Sequence, residues 1–181
     1  MKRHIHIFGA SGSGTTTIAR EAAQQLDYAH FDSDNYFWLP TEEPFTAERS
    51  SEERIRLMKS DLTDGESWIL SGSLSGWGEE LLPLFDLVIF VYVNPDERVE
   101  RLKKREFQRY GARILSGGDH FEASKKFIEW AATYDSGSMG GRSLKKHLDL
   151  LSGLSCEVMR LENGDFEESV RRVIEKINQR N

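Results

Sequence analysis

"FGASGSGTTTIAR", residues 8–20, is the stretch on which the reading of this chain turns. Gly9, Gly14 and Thr16 meet the phosphate-binding pattern G-x-x-x-x-G-K-[ST], but Thr15 stands where the lysine belongs. Such a cradle works mainly through backbone. Glycines turn successive N–H groups inward, and the helix that follows adds the positive end of its dipole. Gly9, Gly12 and Gly14, with a helix from Thr15, supply those parts. Ser11, Ser13 and Thr17 complete the 9–17 loop, and Thr16 offers a hydroxyl to Mg²⁺. Only the ammonium is absent. A hydrogen bond to a charged group is worth roughly 1.5–3 kcal/mol. Its loss slows a transfer by about ten- to a hundredfold and leaves binding in place.

Outward from the loop, strand and helix alternate. Residues 3–8 alternate in polarity and end in Gly9, which predicts a strand running into a turn. Residues 15–26 predict a helix, 28–32 a second strand, and 32–45 a loop with two prolines. Thr46 is the expected cap of a helix from Ala47 to about Leu62. Strands are expected at 67–71, 86–93 and 156–161, and helices at 95–110, 121–134, 144–151 and 166–179. The run DLVIFVYV (86–93) is continuously apolar, as a strand buried on both faces should be. Repeated β-helix-β units predict a parallel sheet covered on both sides. The glycine-bearing stretch 111–143 breaks that rhythm, as a mobile lid does.

With 181 residues the chain suits one domain, 1–181. No apolar run approaches the roughly 20 residues of a membrane span. Its single cysteine, Cys156, allows no internal disulfide and fits a reducing cytoplasm. The net charge of −6 argues against a general nucleic-acid binder. Residues 98–113 nevertheless carry seven basic side chains against two acidic ones. Such a patch attracts a small polyanion.

GASGSGTTT resembles the loop of the P-loop small-molecule kinases, which include nucleoside monophosphate, shikimate and gluconate kinases. It is similar above all to the lysine-free G-S-G-T-T-T loop of archaeal-type cytidylate kinases, which are active. The resemblance implies a three-layer α/β/α P-loop NTPase fold with a five-stranded parallel sheet and a helical lid, about 105–143. It also implies ATP and Mg²⁺ as cofactors and a small-molecule phosphate acceptor as partner. Whether that acceptor is a metabolite, a nucleoside or a nucleotide stays open.

Three other stretches carry candidate chemistry. HFDSDNYFW (30–38) is also similar to a segment of adenylate-kinase-like proteins described as DNA topology modulators. In the kinases an acid here faces the acceptor or the metal. Asp32 comes first for both tasks, and Asp34 second for the acceptor. In SGSLSGWG (71–78), Ser71-Gly72 replaces the Asp-Gly pair of nucleotide kinases, and Ser71, Ser73 and Trp77 are candidates to line the acceptor pocket. DERVERLKKREFQRYGAR (96–113) sets Arg98, Arg101, Arg105 and Arg109 on one stripe. Arg101 and Arg105 match the arginines that clamp the transferring phosphate, a task suited to a planar fork. Arg142, at the end of the lid, is a further nucleotide-binding candidate.

Other readings remain. The glycine turn could be packing alone. The spacing G-x-x-G-x-G misses the dinucleotide pattern G-x-G-x-x-G, although Asp32 and Asp34 lie where a ribose-binding acid would sit. Thr15 and Ser71 also fit a nucleotide-binding regulator without turnover. The solvated-face reading of 96–113 pairs Glu97 with Arg101 and Glu100 with Lys104. His4, His6 and His30 read as strand residues, and Cys156 as core.

Overall fold

A computed structural model describes residues 1–162 and 164–179. In chain order, β1 is His4–Gly9, α1 Thr15–Leu26, β2 Ala29–Asp32 and α2 Ser33–Phe37. Then follow α3 (Ser51–Asp64), β3 (Trp68–Ser71), β4 (Leu87–Tyr92) and α4 (Pro95–Tyr110). The chain closes with α5 (Phe121–Ala132), α6 (Leu144–Ser152), β5 (Glu157–Glu162) and α7 (Phe166–Asn178). Short 3-10 turns lie at Glu79–Leu84 and Gly111–Ile114.

All strand pairs are parallel, in the order β2-β3-β1-β4-β5. The expected α/β/α architecture is therefore present. Alternation along β1 explains the two cores. Ile5 and Ile7 pack with Ile18 and Ala22 of α1 and with Val173 and Ile177 of α7. Phe8 turns the other way and packs with Tyr36 of α2, Met58 of α3 and Leu151 of α6. Small alanines on the buried face of α1 (Ala19, Ala22, Ala23) let it lie close to the sheet. Among the described residues no helix is long and apolar enough to cross a membrane.

Two sequence expectations are corrected at the first excursion from the sheet. Residues 33–37 form a helical turn rather than loop, because Asp32 accepts the N–H of Asp34 at 3.0 Å and caps it. The next helix starts at Ser51, not Ala47. Its cap is Ser50, which accepts the Glu53 N–H, whereas the Thr46 hydroxyl donates to the Glu43 carbonyl within the preceding turn.

Candidate functional site

β1 ends at the centre of the sheet, so its loop opens at the carboxyl ends of the strands, where ligands bind in open α/β sheets. The turn is held in shape by the Ser13 N–H, which donates to the Ala10 carbonyl at 3.1 Å. Gly12 has φ +84°, and a Cβ there would come within 2.7 Å of the Arg98 carbonyl oxygen. Only glycine lets the loop lie flat against α4 in that conformation. The first turn of α1 carries no acidic side chain and no side-chain cap. Its N–H groups and dipole are thus left to an anion. A phosphate group fits this cradle.

Beside it, the Thr16 hydroxyl donates to Asp32 Oδ2 at 2.9 Å. Asp32 thus has one oxygen on the P-loop hydroxyl and the other on the Asp34 N–H. Among the described residues no three His, Cys, Asp or Glu side chains gather as a metal cage. A hydroxyl and one carboxylate suit Mg²⁺, which takes few protein ligands and completes its shell with water and phosphate oxygens.

A cavity of about 720 Å³ runs across the loop. Gly9, Ser11, Gly12, Gly14, Thr15, Thr16 and Thr17 line it, as do Asp32, Asp34, Arg101, Arg105, Arg109 and Arg142. The Ser13 side chain is buried beneath the loop and does not line the cavity. Arg98 also leaves the expected stripe. It is 1% exposed, donates to the Ala131 carbonyl at 2.8 Å and pairs with Asp135. It therefore bolts α4 to the end of α5 and to the segment that follows it. Arg101 pairs with Glu97 at 2.6 Å as the spacing predicts, whereas Glu100 takes Lys103 rather than Lys104.

The cavity concentrates charge at Asp34. The surrounding protein pushes its carboxyl above its ordinary value of 3.8, and the charge of Asp32 adds to this; Arg142, Arg105 and Arg109 oppose it. Partial removal from water lowers the pKa of Arg142 and Arg105, and Asp34 works against that shift in both. This cluster brings side chains of α2 and of the two ends of the insertion into one electrostatic environment.

Of the 71–78 candidates only Ser73 lines the cavity. Ser71 is fully buried, bonded to His30 Nε2 at 3.0 Å and donating to the Phe31 carbonyl. Trp77 instead donates its indole N–H to the Ser73 carbonyl and packs on Phe37. His6 is a strand residue as expected, and its side chain is buried: its Nε2 lies 2.8 Å from the Gly72 carbonyl, and burial lowers its pKa to about 4. Burial raises the Cys156 thiol, which suits its packing against the core.

The sequence reading missed an aromatic wall. Trp38, Phe45, Tyr110, Phe127 and Trp130 line the cavity, with Arg109 4.7 Å from the Phe45 ring centroid and Arg142 6.0 Å from that of Trp130. It also missed His147, buried and bonded to Ser73 and Tyr134. Three of those rings fall in the expected lid, and that was the only signal available.

The profile of a family described as an AAA domain matches residues 5–122. A protein of Bacillus subtilis (strain 168), the uncharacterised YqaC, is 46% identical over 97% of each chain. Cytidylate kinase of Archaeoglobus fulgidus is 30% identical over 56% of this chain and 61% of its own. The crystal structure of shikimate kinase from Bacteroides thetaiotaomicron superimposes with a TM-score of 0.60 at 22% identity, covering 99% of this chain and all of the other. The chain belongs to the AAA domain family and to the P-loop small-molecule kinase superfamily.

Proposed function

We propose that this chain is an ATP- and Mg²⁺-dependent phosphotransferase acting on an anionic small-molecule acceptor. The observation that carries the reading is the Thr16–Asp32 hydrogen bond beside a glycine cradle that a phosphate fits. In this reading the 9–17 loop holds the β- and γ-phosphates through backbone N–H groups other than that of Ser13, which stays on the Ala10 carbonyl and shapes the turn. Thr16 and Asp32 would hold Mg²⁺, which neutralises charge on the phosphates when bound. Arg101 and Arg105 stabilise the charge spread over the transferring group.

Asp34 takes the acceptor role ahead of Asp32, because both Asp32 oxygens already have partners. An acceptor oxygen forms a bond to the γ-phosphorus as the bridging P–O bond breaks, ADP leaves, and the acceptor proton passes to Asp34. The raised pKa of Asp34 suits it to accept a proton. Arg142 and Arg109 neutralise the anionic part of the acceptor, and the 105–143 segment closes over both ligands as a lid. A cytoplasmic enzyme fits the single thiol.

One observation favours a second reading, a nucleotide-binding regulator. Thr15 supplies no ammonium, and Ser71, where nucleotide kinases carry an aspartate, is turned towards His30. The test is ADP release with ATP, Mg²⁺ and a panel of nucleotides, nucleosides and sugar acids. Acceptor-dependent release supports the kinase. Nucleotide binding with no transfer to any of them rejects it in favour of the regulator.

A further inference from the structure

His147 is fully buried on α6, and Tyr134, in the loop that follows α5, is 4% exposed. The tyrosine oxygen lies 2.8 Å from His147 Nδ1, and Ser73 Oγ lies 3.0 Å from His147 Nε2. The Ser75 N–H also donates to Ser73 Oγ, at 3.3 Å. None of the three side chains belongs to the loop or to the acid–arginine cluster.

The proton positions follow from counting donors. Among the described residues, His147 Nδ1 is the one acceptor bonded to the Tyr134 hydroxyl. A buried O–H with no acceptor is costly, so the tyrosine donates. Nδ1 then accepts, and the proton of the neutral ring sits on Nε2, which donates to Ser73 Oγ. The opposite tautomer would strand the tyrosine proton. Burial also keeps the ring neutral, with a pKa of about 3. Ser73 Oγ now receives two donors, His147 Nε2–H and Ser75 N–H, which fill its lone pairs. Its own proton has no acceptor left among its bonded neighbours, and Ser73 lines the cavity. The preceding Gly72 lies against the start of α2: a Cβ there would be 3.6 Å from Asp32 Oδ1.

We infer that Tyr134 and His147 hold the Ser73 hydroxyl as a hydrogen-bond donor aimed into the cleft, where it meets an anionic oxygen of the acceptor. Tyr134 and His147 are positioning residues, and Ser73 makes the contact. The inference rests on the kinase reading for the identity of the anion, but its tests need no turnover. It extends specificity beyond the arginines: a hydroxyl fixed as donor favours an acceptor that presents a phosphoryl or carboxylate oxygen at that point.

Two measurements on the full chain decide it. Two-bond ¹H–¹⁵N spectra of the imidazoles, assigned through the labelled backbone, should show His147 as the Nε2–H tautomer at neutral pH. Tyr134→Phe should remove that preference and populate both tautomers. Inorganic phosphate titrated into the Mg–ADP form serves as the anion probe. Ser73→Ala should weaken phosphate binding by about tenfold, with Mg–ADP affinity unchanged. An Nδ1–H tautomer in the natural protein overturns the inference. So does phosphate binding that is absent, or equal with and without the Ser73 hydroxyl.

Discussion

Thr16, in the first turn of α1, and Asp32, at the end of β2, meet through a 2.9 Å hydrogen bond at the floor of the cleft. Sixteen residues apart in sequence, they are brought together because β1 and β2 both pair with β3 and both end on the same side of the sheet. The pair supplies one hydroxyl and one carboxylate, the protein share of a Mg²⁺–triphosphate site. Asp32→Asn keeps the shape and removes the charge. Calorimetry should show Mg–ATP affinity falling by about ten- to a hundredfold, while metal-free ATP binds no more weakly than before.

Thr15 lines the cavity at the position of the missing lysine. Thr15→Lys places an ammonium beside the phosphates and should tighten ATP binding by about tenfold or more. If turnover rises as well, Thr15 slows a working kinase. Tighter binding without turnover points to the regulator.

Asp34 links function to stability through its raised pKa. The folded chain keeps this proton to a higher pH than the unfolded chain, whose ordinary value is 3.8. Folded protein therefore binds more protons through that window, and stability falls as pH rises through it. Asp34→Asn should melt higher than the natural protein at pH 7, the gain shrinking as pH drops below the raised value. Transfer should be lost at the same time. Thermal melts at pH 3.5 and pH 7 provide the check.

Arg98 and Arg105 lie two helical turns apart on α4 and have opposite jobs. Arg98→Ala leaves Asp135 and the Ala131 carbonyl without their partner and should cost about 3 kcal/mol of stability. Arg105→Ala faces the cleft and should lower turnover more than ATP affinity, with little change in melting temperature. Denaturant unfolding and steady-state kinetics on both variants separate the roles.

The sequence showed the sheet and the loop because both are written in short-range patterns. DLVIFVYV has to be a strand buried on both faces, and GASGSGTTT needs its glycines where the backbone turns. The fate of each arginine was less legible. A stripe at spacings of three, four and four does not say that Arg98 will find Asp135, 37 residues later, and leave the stripe. Ser71 was misplaced for a related reason: a serine at a strand end faces either core or cleft, and tertiary partners such as His30 decide which. The His147–Ser73 contact spans 74 residues and has no local signature.

The central claim is that backbone amides and a helix terminus hold a triphosphate here without a lysine. Isothermal titration of the natural chain with ATP and with NADH, each with and without Mg²⁺, tests it most directly. Saturable ATP binding that tightens with Mg²⁺, and none for NADH, is the predicted result. A chain that takes up NADH, or gives no heat with Mg–ATP, contradicts the account.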